Sequence, residues 1–363
     1  MTSGARAQAT LSQVALSGYT TLGLGGPARR FVPAGTEDGV IAAVRDADRR
    51  GEPLLVLGGG SNLVISDDGF DGTVVQVATR GVQVEAGDGP AVTVTAAAGE
   101  NWDALVGRCV SAGLSGVECL AGIPGLVGAT PIQNVGAYGQ EVAGTLVAVR
   151  GYDRVSGEVA ELAAADCGFG YRTSRFKRDP GRFVVLTVTF ALSRDPMSRP
   201  VGYAELARRL DVAVGERVPL ASARAAVLGL RRGKGMVIDP ADPDTRSAGS
   251  FFTNPVLTAG QYAAVQQAAR ARLGAGASVP RYPADDGLVK VPAAWLIERA
   301  GFTRGFPGES TVRISSKHTL ALVNAGGGST KALLELAAQI RDGVRAAFGV
   351  GLVPEPVLVG VSL

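Results

Sequence analysis

Residues 122–142 are the segment that most restricts what this chain can fold into. Their apolar residues follow neither the period of a helix nor the alternation of a strand. Gly122, Gly125, Gly128, Gly136 and Gly139 are interleaved with Thr130, Gln133, Asn134, Tyr138 and Gln140, while Pro124 and Pro131 stiffen the path. A compact domain usually keeps a loop this long for function. Glycine lets backbone press against a flat ring and lets neighbouring amide groups reach it. The segment is expected to be an ordered loop with at most a short helix. The alternative is an ornate surface loop.

The whole chain shares this bias, with 51 glycines in 363 residues, against a usual share of about 7%. They show no G-X-Y period and cluster in short loops between apolar segments. A second cluster, Gly58, Gly59 and Gly60, follows a strand expected at 54–57 and runs into Ser61 and Asn62. Successive N–H groups in such a turn can curl around an anion, and Ser61 and Asn62 add side-chain donors. A tight structural turn is the other reading. The usual dinucleotide motifs fail. Residues 23–28 match G-x-G-x-x-A, but no strand precedes them and Pro27 removes an N–H. Residues 229–235 have the wrong spacing for a phosphate loop and no Ser or Thr after Lys234. A Rossmann fold is not expected.

The composition narrows the classes further. Hydrophobic residues make up 46% and charged residues 19%, as in a globular protein large enough for two or three domains. The net charge is only +3 and the basic residues are scattered, so no nucleic-acid partner is expected. Cys109, Cys119 and Cys167 are too few for a disulfide framework. With His318 the only histidine, no metal centre is expected, and a Ser-His-Asp triad would depend on His318. That residue borders a strand-like run at 319–323 and reads as structural. No signal peptide and no membrane-spanning stretch is seen, so the expected location is cytoplasmic, without a membrane partner.

Periodicity predicts helices over 37–50, 102–111, 221–232, 259–273, 293–300 and 331–348. Strands are expected at 54–57, 63–65, 73–77, 92–96, 146–152, 183–191, 250–252, 319–323 and 357–361. Residues 1–20 read as a loose lead-in, 194–202 as a polar connection ending at Tyr203, and 236–247 as a domain boundary.

The two glycine loops, VLGGGSNLVI (56–65) and AGIPGLVGATPIQNVGAYGQEV (121–142), resemble the flavin-binding segments of the UDP-N-acetylenolpyruvoylglucosamine reductase (MurB) family. Five further strings agree in the same order: CGFGYRTSRFK (167–177), AGSFFTNP (248–255), VPAAWLIERAGF (291–302), SSKHTLALVN (315–324) and VPEPV (353–357). The resemblance implies an α+β fold. A vanillyl-alcohol-oxidase-type FAD-binding domain would occupy two parts, 1–79 and 80–232, with a third α+β domain at 233–351 for substrate. Residues 352–363 would return to the flavin and substrate site.

It also implies non-covalent FAD, NADPH as hydride donor, and UDP-N-acetylglucosamine enolpyruvate as substrate. No histidine lies in either glycine loop to attach the flavin. FAD contacts are expected from Gly58, Gly59, Gly60, Ser61 and Asn62, and from Ile123, Pro124, Gly125, Gly128, Ala129, Gln133, Asn134, Gly136 and Tyr138. Hydride addition to the substrate's β-carbon leaves an enolate-like charge and an α-carbon that needs a proton. The resemblance gives charge stabilisation to Arg172 and Glu355 and the proton to Ser250. A permanently charged guanidinium suits a carboxylate. A buried, protonated Glu355 can donate to an enolate. Tyr203 resembles the tyrosine of the subgroup that closes a loop over the nucleotide, and Lys234 and Asn254 match diphosphate contacts. Lys290 and Trp295 read as structural or supporting. A monomer is favoured. Two other readings are carried: another FAD-dependent oxidoreductase of this fold acting on a sugar or alcohol, and a non-catalytic nucleotide-sugar sensor.

Overall fold

The computed structural model describes residues 9–87 and 89–363. The expected lead-in falls partly on residues 1–8, outside the described residues. Two compact units are formed. One holds the described residues up to Val14 with Ala28–Gly59 and Asp71–Val237, and the other holds Ala15–Pro27, Gly60–Phe70 and Ile238–Leu363. Segments Ala15–Pro27 and Gly60–Phe70, grouped above with residues 1–79, therefore belong to the second unit. The reason is visible in its core, which Leu22, Leu24 and Val64 join. Strand Leu63–Ile65 also pairs in parallel with Val357–Val359.

Among the described residues the first unit contains two larger sheets besides the short ladder of Gly136–Ala137 with Gln140–Glu141. Four strands run in the order Leu11–Ala15, Pro27–Ala34, Phe70–Val77 and Leu54–Leu57. Helix Glu37–Arg49 begins at Thr36, whose hydroxyl accepts from Gly39 N, and buries Val40, Ile41, Val44 and Ala47. The capping oxygen satisfies one of the first-turn N–H groups, which have no helical partner. The larger sheet runs Glu158–Ala163, Leu146–Asp153, Phe183–Arg194, Ala91–Ala97 and Val82–Ala86, with Leu114–Ser115 also pairing Phe183–Arg194. Val188, Phe190 and Leu192 alternate into the core from its long central strand. Helix Trp102–Ser111 is capped by the Asn101 carbonyl oxygen. It buries Trp102, whose indole N–H donates to Leu120 O at 3.0 Å. That bond lets a large ring enter the core without an unsatisfied donor.

The strands that escape sequence reading include Pro27–Ala34 and Val312–Ile314 as well as Val82–Ala86 and Glu158–Ala163, of which the last two have a simple explanation. Both are sheet edges, and Leu162 is their only buried side chain. An edge exposed on this scale needs little apolar patterning. The expected loose lead-in also contains a strand, Leu11–Ala15, followed by a 3₁₀ turn at Leu16–Tyr19. That strand is almost entirely exposed, so pairing rather than burial defines it.

The second unit has a sheet ordered Ser247–Ser250, Ala321–Asn324 and Val312–Ile314. A smaller one is ordered Val256–Leu257, Val289–Lys290 and Tyr282–Pro283. Helix Ala259–Leu273 starts with a capping box between Thr258 and Gln261. Helix Thr330–Phe348 buries Leu333, Leu336, Ile340, Val344 and Phe348 and ends at Gly349, which has φ +71°. The strand expected at 250–252 lies instead at Ser247–Ser250, and Phe251 and Phe252 are core residues. Their hydrophobicity reports burial, which a short apolar run cannot distinguish from a strand. Likewise the strand expected at 319–323 is Ala321–Asn324. No helix among the described residues is long and apolar enough to cross a membrane.

Candidate active site

In the first unit the two glycine loops meet backbone to backbone. A Cβ on Gly59 would stand 2.8 Å from Gly125 Cα, so no side chain fits between them. Gly58, Gly59, Ile123, Pro124 and Gly125 are all half-buried there. The path of the long loop is set by hydrogen bonds from its own backbone. Gly122 N donates to Asp103 Oδ1 at 2.7 Å. Val127 N donates to Glu100 O and Gly128 N to Ala98 O, both at 2.9 Å. The loop contains a 3₁₀ turn at Val127–Ala129 and a two-residue ladder of Gly136–Ala137 with Gln140–Glu141. Ala129 and Gln133 are half-buried. The glycines thus allow close packing of backbone on backbone: Gly59 against Gly125, and buried Gly128 against Ala98.

The far end of this loop is stitched to the turn at 170–174. Asn134 Nδ2 donates to Glu141 Oε2 at 2.7 Å and to Gly170 O at 3.2 Å, while Asn134 Oδ1 accepts from Ala143 N. Arg172 Nη2 donates to Gly136 O at 2.7 Å, and Ser174 Oγ donates to Ile132 O at 2.5 Å. Asn134, Tyr138 and Arg172 all have left-handed backbones, with φ of +47°, +49° and +52°. Each such residue stores strain of the order of 1–3 kcal/mol, which persists only where surroundings over-determine it and which gathers at functional sites.

Tyr138 is the centre of a second cluster. The Tyr203 ring meets it edge-on at 5.5 Å, and Lys234 Nζ lies 5.7 Å from its ring centre. Lys234 also pairs with Glu205 at 2.6 Å. Burial pushes the Tyr138 phenol up to about 12, against the opposing effect of nearby Arg231. The phenol is therefore a neutral hydrogen-bonding group at physiological pH. Arg231 donates to Met236 O at 2.9 Å, and its Nε is buried without a hydrogen-bond partner among the described residues.

In the second unit, Ser250 and Glu355 lie on adjoining segments. Glu355 N donates to Phe251 O at 2.9 Å, and Thr253 N donates to Val353 O at 3.0 Å. Asn62 joins them: its Nδ2 donates to Glu355 O at 3.5 Å, and its carbonyl accepts from Val357 N at 2.9 Å. Gly60 is buried and Ser61 half-buried on the same stretch. Ser250 follows Gly249, whose φ is +77°, and pairs with Ala321. Asn254 Oδ1 accepts from Ala293 N at 2.9 Å, which caps helix Ala293–Ala300. Trp295 packs on Phe348 at 5.7 Å, and Lys290 sits in a strand between Val256 and Tyr282. The His318 carbonyl accepts from Ala321 N at the entry to its strand.

The residues singled out in the sequence thus form three groups. Arg172 joins Asn134 and Gly136, Tyr203 and Lys234 join Tyr138, and Ser250 and Glu355 join Asn62. The first two groups lie in the first unit and the third in the second. Glu205, Arg231 and Glu118 carry no sequence signal, since charged residues in or beside helices usually read as solvated. Glu118 is nevertheless fully buried. It accepts from Gly116 N, Arg199 N and Gln140 Nε2 at 2.6, 2.7 and 2.9 Å. It therefore fastens both the long loop and the connection leading to Tyr203.

Comparison with known proteins then decides the family. The family model described as the C-terminal domain of UDP-N-acetylenolpyruvoylglucosamine reductase matches residues 240–359, and that of an FAD binding domain matches residues 28–162. The UDP-N-acetylenolpyruvoylglucosamine reductase of Thermobifida fusca is 58% identical over 351 residues, covering 96% of this chain and 98% of that protein. The chain belongs to the UDP-N-acetylenolpyruvoylglucosamine reductase family.

A second member of the family, from Salinispora arenicola, is 59% identical, covering 96% of this chain and 95% of that protein. The crystal structure of the family's enzyme from Thermus caldophilus aligns with a TM-score of 0.67 at 25% identity, over 97% of this chain and 100% of that one. A solvent-stable cholesterol oxidase aligns with a TM-score of 0.50 at 14% identity, over 96% of this chain and 87% of that one, which reflects fold alone. The fold is α+β, with an FAD-binding domain of the vanillyl-alcohol-oxidase type beside further α+β structure, as in the reductase family.

Proposed function

We propose that this chain reduces UDP-N-acetylglucosamine enolpyruvate to UDP-N-acetylmuramate for peptidoglycan synthesis, with NADPH as hydride donor and FAD held without a covalent bond. The observation that carries the reading is the bare-backbone contact of Gly59 with Gly125, beside a turn that pins Arg172 to the same long loop. FAD held there would supply hydride-transfer chemistry between the nicotinamide and the β-carbon of the enol ether. Gly58, Gly59, Gly60, Ser61 and Asn62 offer N–H and side-chain donors suited to the diphosphate. The Gly125, Gly128 and Gly136 stretch offers a surface suited to the ring.

Each proposed catalytic residue has a task set by its chemistry. Addition at the β-carbon leaves an electron pair on the α-carbon, delocalised into the carboxylate. The Arg172 guanidinium, its direction set by the bond to Gly136 O, lowers the energy of that charge. Glu355, which is half-buried, would donate a hydrogen bond to the enolate oxygen when protonated. Ser250 gives its hydroxyl proton to the α-carbon and regains one from solvent, closing the reaction. The backbone bond between Glu355 and Phe251, the residue after Ser250, keeps acid and stabiliser on neighbouring segments. Tyr203 and Lys234 hold the nucleotide diphosphate. Asn254 assists through its amide N–H₂, because its carbonyl end caps a helix.

The experiment is anaerobic flavin absorbance. NADPH is expected to bleach the visible flavin band of the yellow protein, and the enolpyruvyl sugar to restore it. Protein that takes up no FAD, or reduced protein that the sugar does not reoxidise, overturns the assignment.

A further inference from the structure

Lys234 does not approach its proposed diphosphate site as an uncommitted cation. Its ammonium is 2.6 Å from Glu205 Oε2, and both side chains are about one-third exposed, at 31% and 32%. The partner's position is what matters. Glu205 lies in the first turn of helix Ala204–Leu210, and Tyr203 is the residue that begins that helix. Tyr203 O accepts from Ala207 N at 3.0 Å, so tyrosine and carboxylate ride on one rigid turn. That turn is anchored by the buried side chains of Leu206 and Ala207. Lys234 stands at the other side, at the end of helix Leu220–Gly233. Tyr203 and Lys234 both contact the ring of Tyr138.

We propose that Glu205 is a positioning residue whose carboxylate stands in for the substrate's diphosphate on Lys234, holding the Tyr203 segment in place until the nucleotide displaces it. This rests on the assignment of Lys234 and Tyr203 to the nucleotide. The exchange follows from charge. An ammonium has three N–H donors, yet a carboxylate and a diphosphate crowded onto it repel each other. The diphosphate carries more charge and wins the ammonium. Release of Glu205 then removes the tie between Lys234 and the turn that carries Tyr203, and the Tyr203 side chain closes over the nucleotide. Observed affinity is therefore a difference between two ion pairs, and removing the internal one strengthens binding.

Calorimetric titration of the FAD-loaded enzyme with UDP tests this. Glu205→Gln is expected to tighten UDP binding by about two- to fivefold, the range of a partly exposed ion pair. Glu205→Ala should act in the same direction, so the test survives poor folding of either variant. Lys234→Ala should weaken UDP binding, and adding Glu205→Gln to it should not restore the parent affinity. A purely structural Glu205 forecasts equal or weaker binding in Glu205→Gln, and that result, with Lys234→Ala weakened, overturns the proposal alone. Unchanged binding in Lys234→Ala overturns the nucleotide assignment and the proposal with it.

Discussion

Arg172 Nη2 donates to the carbonyl of Gly136 at 2.7 Å, and a Cβ on Gly136 would stand 3.0 Å from Arg172 Nη1. The hydrogen bond and the missing side chain are one device. The long loop holds the guanidinium at a crowded position, where a Cβ would also stand 2.7 Å from Glu141 Cγ and 3.0 Å from Gln140 O. Arg172 itself is held in a left-handed conformation, so its direction depends on this contact rather than on local preference.

Gly136→Ala is accordingly expected to misdirect Arg172, in enzyme kept saturated with FAD because Gly136 also belongs to the proposed flavin surface. A displacement of a catalytic group by about 1 Å can lower rate by up to about 10²-fold. We expect kcat/KM for the enolpyruvyl sugar to fall on the order of 10- to 100-fold, with the bound-flavin spectrum retained. Steady-state kinetics alongside the absorbance spectrum measure both. Undiminished turnover would show that Gly136 does not aim Arg172.

Ser250→Ala separates the half-reactions. Reduction of the flavin by NADPH should proceed near the parent rate, because the role proposed for the hydroxyl comes only after hydride reaches the sugar. Reoxidation by the sugar should slow roughly 10²–10⁴-fold, the range of a lost general acid. Stopped-flow absorbance without oxygen resolves the two steps. Parent-like reoxidation would remove Ser250 from proton transfer.

Tyr203→Phe keeps the edge-on contact with Tyr138, because only the hydroxyl is lost. The loss of one hydrogen bond amounts to about 0.5–1.5 kcal/mol. A rise in KM for the UDP-sugar of roughly two- to twelvefold is expected, with flavin reduction unchanged. An unaltered KM would take the Tyr203 hydroxyl out of the nucleotide site.

Glu118→Gln probes the buried anchor beneath the loop. The carboxylate meets three N–H donors, and an amide turns two of its own hydrogens toward some of them. Destabilisation of about 1–3 kcal/mol or more is expected. Urea melts of parent and variant give the difference, and coincident curves would show that the anchor is dispensable.

Asp244 supplies a pH prediction. Burial pushes its carboxyl up, but bonds from Ser316 and Ser315 and the charge of Arg313 outweigh that and hold it below the ordinary carboxylate value. A group depressed in the folded state stabilises fully above its unfolded value and loses that contribution as pH falls through the folded one. Asp244→Asn should therefore lower stability at neutral pH and flatten the acid side of the stability curve, with parent and variant converging below about pH 4. Thermal melts from pH 3 to pH 7 follow this, and parallel curves across the range would refute it.

Much of this protein is legible without its structure because several signals are local. The apolar spacing of Thr330–Phe348 and the capping residues around it describe a helix whatever surrounds them. The same holds for Trp102–Ser111 and Ala259–Leu273. The ordered strings around Gly59, Gly125, Arg172, Ser250 and Glu355 indicate the family through their resemblance to it. Tertiary structure decided the rest. Edge strands such as Val82–Ala86 have almost no buried face and exist by pairing alone. The left-handed turns at Asn134, Tyr138 and Arg172 run against the intrinsic preference of those residues, so only surrounding contacts could impose them. The bonds of Lys234 to Glu205, Arg172 to Gly136 and Arg199 to Glu118 join residues 29, 36 and 81 positions apart. A charged side chain read in sequence is a solvated group by default, and only the folded chain determines which oppositely charged or hydrogen-bonding group arrives beside it.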